Sequence, residues 1–172
     1  MSSTSFRNSE SYTSVMQVRN FMFGDITKTL ELRKAIGGAP NFLLALGLCC
    51  YTEYWGKLKL GFAQDKSQDS FEAFLVELDK SHYEPIKTRI YKDVRCGLAH
   101  SYMIEDNSII DVDIMGPYGI EFDTNSNTYT FFVQKYFEEF KRAVDRYIVN
   151  LEINNEGVKL LEQALANKSE LL

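Results

Sequence analysis

The chain has 172 residues, 45% hydrophobic and 25% charged, with 24 acids against 19 bases and only two histidines. That composition describes one soluble globular domain able to hold a full core without disulfides or metal. The net charge of −5 excludes a wholesale nucleic-acid coat and leaves room for a local basic site. Cys49, Cys50 and Cys96 are odd in number and lack paired-ligand spacing, which points to a reducing, cytoplasmic setting.

Residues 1–14 include eight Ser or Thr and no apolar run, so a frayed tail is expected there, with a single domain over 15–168. Val15, Val18, Met22, Ile26 and Leu30 recur at three- and four-residue steps and predict an amphipathic helix ended by Gly37-Gly38. The uncharged stretch beyond it is broken by Pro40 and Asn41, which leaves too short an apolar run to span a bilayer. A second helix, Phe42 to about Leu58, is apolar nearly all round, with Glu53 as its first charge; such a helix belongs at the centre of a bundle. Asp69 with Glu72 predicts a capped third helix burying Phe71, Phe74, Leu75 and Leu78. Ser81 with Glu84 predicts the start of a fourth, His82 to about Met103, with Pro85 tolerated in its first turn.

The period then changes to two. Ile110, Val112 and Ile114, then Ile120 and Phe122, then Tyr129 and Phe131 alternate with polar residues across turn-forming segments, predicting a small antiparallel β-meander at about 108–132. Helical period returns from Val133 to Leu151, and a short last helix holds Val158, Leu161 and Leu165. The fold class is mainly α: a helical bundle with the β insertion ahead of its last long helix.

The chemistry concentrates on the fourth helix, in Tyr91-Lys92-Asp93-Val94-Arg95-Cys96-Gly97-Leu98-Ala99-His100-Ser101-Tyr102. Arg, four residues, His, one residue, Tyr resembles the signature of the HEPN superfamily. The resemblance implies an up-and-down helical bundle acting as a metal-independent ribonuclease, with Arg95 and His100 catalytic and no cofactor. Tyr102 matches the toxin-antitoxin branch, where a partner nucleotidyltransferase can modify that tyrosine, so a prokaryotic toxin-antitoxin or defence role is implied. Cys96 departs from the pattern, since active members often carry Asn, Asp or His after the arginine. Other members are non-catalytic protein- or nucleotide-binding modules.

The residue types suit metal-free RNA cleavage. An imidazole moves protons near neutrality, and a guanidinium balances charge on the phosphate. One histidine cannot serve both proton transfers at once, so an active form needs two copies of His100, as in a homodimer. On a straight α-helix, Arg95 and His100 lie about 140° apart and about 7.5 Å along the axis, on opposite flanks of an inward stripe of Tyr83, Ile86, Ile90, Val94, Leu98 and Ser101. The outer side carries Arg89, Lys92, Cys96, Ala99 and Met103. Its lower half is small or apolar, so Cys96, Ala99 and Met103 are expected at a dimer seam, and Arg89 and Lys92 at phosphates.

Glu53 either reaches water at an edge or faces the fourth helix and orients Arg95 through a charge-assisted hydrogen bond. Tyr102 returns to nearly the face of Arg95 and is a supporting residue, in contact with phosphate or as a boundary aromatic. His82 reads as a solvated or capping residue. A zinc site from Cys96, His100 and Cys49-Cys50 lacks a fourth ligand, so no metal is expected. Asp111, Asp113, Glu121 and Asp123 read as a solvated sheet face, with cation binding as the alternative if they share that face.

Overall fold

The computed structural model describes residues 6–36, 40–61, 66–101, 104 and 108–168. Helix α1 spans Glu10–Ile36 and α2 Asn41–Leu60. The first lies five residues longer at its N-terminus than the apolar period predicts, because Ser9 caps it: the Ser9 hydroxyl accepts from Tyr12 N at 3.1 Å and donates to Phe6 O at 2.7 Å. Phe6 is buried edge-on to Tyr12, so residues 6–14 of the expected tail are folded, and residues 1–5 lie outside the described ones.

The all-apolar α2 sits at the centre, as its pattern requires. Leu44, Leu48, Trp55 and Leu58 are fully enclosed, with α3 (Ser67–Leu78) supplying Phe71, Phe74 and Leu75 against them. Even its polar Thr52 is buried, paired at 2.8 Å with the Tyr136 hydroxyl.

The expected fourth helix is not continuous. A short α4 (Lys80–Tyr83) is capped by Asp79, whose Oδ1 accepts from His82 N at 3.1 Å, in place of the expected Ser81 and Glu84 box. The chain turns at Pro85, which lacks the N–H a continuing helix needs, and resumes as α5 (Lys87–Arg89). It then runs as a π-helix over Ile90–Cys96 and returns to α-geometry in α6 (Gly97–Ser101). The π-turn takes up an extra residue, which rotates the residues beyond it by about 100° relative to a straight α-helix. Ile90, Val94 and Leu98 are buried as predicted, whereas Ser101 is carried out of the inward stripe and is exposed.

The sheet lies where the change of period puts it, with strands β1 (Ile109–Asp111), β2 (Ile120–Asp123) and β3 (Thr128–Phe132). Its connectivity corrects the meander. The order is β1-β3-β2, with β2 antiparallel to β3 and β1 parallel to it. The link from β1 to β2 therefore crosses the end of β3, passing so close to the next helix, α7 (Val133–Leu151), that a Cβ on Gly119 would lie 2.5 Å from Tyr136 Cα. Glu139 on α7 holds this crossing: its Oε2 accepts from Gly119 N at 3.1 Å and from the Tyr83 hydroxyl at 2.7 Å. Helix α8 (Asn155–Lys168) closes the bundle against α2. No described helix is long and apolar enough to cross a membrane.

Candidate functional site

The site is built where α2 faces the π-helical turn. Glu53 is 6% exposed, the one acid in the middle of an apolar helix, and its carboxylate must find cations to be held there. Arg95 Nη2 donates to its Oε2 at 2.5 Å, and Lys57 Nζ lies 3.1 Å from Oε1. Of the two readings of Glu53, the structure therefore has the one in which it faces the fourth segment. Lys57 is a partner missed in the sequence, though its four-residue spacing on the same helix was the available signal.

The Arg95 side chain is 16% exposed. Burial works against its charge, and Glu53 more than offsets that, so its pKa is raised and it stays a guanidinium. The Arg95 Nε has no hydrogen-bond partner among the described residues, and the guanidinium sits 5.7 Å from the centre of the Tyr91 ring. His100, five residues on, is exposed, as is Ala99, while Cys96 is half-buried. Arg95 is thus turned inward to α2 and His100 outward. Tyr102 and Met103 lie outside the described residues.

Arg89 and Lys92 line one open groove of about 510 Å³ with Pro85, Ile86, Thr88 and Asp93. Arg89 is already positioned: its guanidinium stacks 4.5 Å from the Phe122 ring centre and lies 3.8 Å from Asp93. Asp93 in turn accepts from the Tyr129 hydroxyl, so the sheet braces the basic face of the fourth segment, a contact no local pattern announces.

The remaining candidates resolve into structural roles. His82 is not simply solvated; its Nε2 is 2.8 Å from Ile120 O, and its ring stacks on Tyr118 at 3.7 Å, pinning α4 to the sheet. Asp111 and Asp123 accept from backbone N–H groups of the turns just after them, and Asp113 pairs with Arg33. With β1 and β2 on opposite sides of β3, these acids do not form a cluster, and no group of three metal-ligating side chains is found among the described residues. Cys49 is buried, and its thiol is pushed up by burial, so it acts as a small apolar filler.

Comparison with family models, curated proteins and solved structures gives no match for the chain.

Proposed function

We propose that this chain is a HEPN-like, metal-independent RNA endonuclease acting as a homodimer. The observation that carries the reading is the Glu53–Arg95 ion pair. It anchors a permanent positive charge in a fixed direction before any substrate arrives, five residues from an exposed imidazole. A π-helical turn carrying the arginine adds support, since such turns recur at functional sites.

In this scheme one His100 takes the proton of a ribose 2′-hydroxyl, and the oxygen attacks the adjacent phosphorus. The bond to the 5′-oxygen breaks as the partner's His100 returns a proton to it, leaving a 2′,3′-cyclic phosphate and a free 5′-hydroxyl. Arg95 balances the charge gathering on the phosphoryl oxygens, while Arg89 and Lys92 hold flanking phosphates. Cys96, Ala99 and Met103 form the seam between protomers. Tyr102 supports the phosphate or takes a nucleotidyl group from a partner nucleotidyltransferase, in a cytoplasmic toxin-antitoxin or defence setting.

A non-catalytic module that binds a protein or nucleotide is the competing reading. Cys96 and the burial of Arg95 favour it. Incubation with mixed RNAs in EDTA separates the two. The nuclease predicts cleavage that survives chelation, leaves 2′,3′-cyclic ends and disappears in His100→Ala; an intact dimer that cleaves nothing supports the module and ends the nuclease reading.

A further inference from the structure

Helix α1 is apolar on two sides. Val15, Met22 and Ile26 are buried in the core, whereas Phe21 and Leu32 are 67% and 57% exposed. Eleven residues are close to three helical turns, so these two side chains share one outer side of the helix, about 16 Å apart along its axis. A single exposed leucine is ordinary, but a phenylalanine and a leucine aligned on one bare face ask for a partner. The face is open between them: nothing lies within 4 Å of a Cβ built on Gly24, one turn on from Phe21.

Two opposite charges stand inside this pair. Phe21, Asp25, Lys28 and Leu32 follow steps of four, three and four, the spacing of seam residues in a heptad repeat, and both charged residues are exposed. The Tyr51 hydroxyl donates to Asp25 Oδ2 at 2.6 Å, which steadies the carboxylate and leaves its second oxygen to another donor. The ion pairs of α1 to other elements use Arg19 and Arg33, and Lys28 has none among the described residues.

The stripe complements itself when reversed. A two-fold axis passing between Ile26 and Thr27 sets Phe21 on the partner's Leu32 and Asp25 on the partner's Lys28, and each contact is made twice. Parallel pairing would instead oppose acid to acid and base to base, which like-charge repulsion disfavours.

We propose that the outer face of α1 binds a second copy of this chain as an antiparallel helix pair, with Phe21 and Leu32 as its apolar ends and Asp25 and Lys28 as its paired charges. The contact lies on a different element from Cys96 and Ala99 and goes beyond the ribonuclease reading, so either can fail alone. It is small. Three turns of helix per copy fall short of the roughly 1,200 Å² of a stable interface, so it forms only as protein approaches about 0.1–1 mM. At micromolar protein the proposed seam at Ala99 would act alone, and at high concentration the two contacts would join dimers into larger assemblies.

Sedimentation equilibrium of the full chain carrying Ala99→Glu, which removes the other seam, reads this contact by itself. Association should appear as protein rises toward about 1 mM. Lys28→Asp would oppose four acids in the pair and Asp25→Lys four bases, so each variant should associate at least about tenfold more weakly. An equimolar mixture of the two should recover, because every acid then meets a base. Phe21→Ser should abolish association, and thermal melts identify any variant that has lost its fold. A chain that stays monomeric at every concentration leaves this face to some other protein and overturns the proposal. So does association that both charge reversals leave unchanged, or a mixture of the two that fails to recover.

Discussion

Glu53 and Arg95 depend on each other. Their side chains are 8% and 16% exposed, so removing the carboxylate leaves a guanidinium buried with its main counter-charge gone. Glu53→Ala should cost about 3 kcal/mol in urea unfolding, at the lower end for a broken buried pair because Arg95 is not wholly enclosed; a loss under about 1 kcal/mol would show the pair to be solvated. Glu139 carries the opposite charge logic. Burial raises its pKa above the ordinary 4.5, although Tyr83 and Gly119 donate to it. The folded state therefore holds this proton more tightly than the unfolded chain, and its contribution to stability is lost as pH rises above 4.5 toward the raised value. Glu139→Gln keeps an oxygen acceptor without the charge, so its stability relative to wild type should improve between about pH 4 and about pH 7 in urea titrations. Constant relative stability would contradict this. Glu53 was legible because it is the lone charge in its apolar stretch. Glu139 was not: it lies beside Glu138 on an amphipathic helix, and the tyrosine that explains it is 56 residues away.

At the scale of elements, period and composition placed the long helices well. Helix α7 keeps its expected span, and α2 its central position. Elsewhere, local signals of near-equal strength compete. Asp79 and Ser81 are both good caps two residues apart, and the hydroxyl of Ser81 ends up donating to Asp79. The π-turn depends on how Ile90, Val94 and Leu98 fit their neighbours, which a 3.6-residue template cannot register. Strand order was equally hidden, because alternation identifies strands and says nothing of which pair. Two glycines separate local from tertiary demands. Nothing lies within 4 Å of a Cβ built on Gly24, so Gly24→Ala should stabilise α1 by about 0.5–1 kcal/mol. At Gly56 the same atom would fall 1.7 Å from Ser70 O, so Gly56→Ala must push α3 off α2 and should cost about 3 kcal/mol. Thermal melts of the two variants should move in opposite directions; shifts of the same sign would contradict the close α2–α3 approach.

For the whole molecule, the nuclease proposal turns on the number of copies that act together. In the proposed cleavage, one exposed imidazole per chain cannot be base and acid at the same moment, and Arg95 faces inward while His100 faces out. Ala99, exposed beside His100, marks the expected seam, and Ala99→Glu should convert a dimer into a monomer by light scattering and abolish cleavage together with it. A monomeric wild type would remove the seam. The most direct test mixes wild-type protein with increasing fractions of His100→Ala, allows subunits to exchange, and measures RNA cleavage in EDTA. If each site needs both histidines, mixed dimers are dead and activity falls as the square of the wild-type fraction, to about a quarter at equal amounts. A linear fall to about a half, or no cleavage by the wild type, would contradict the account.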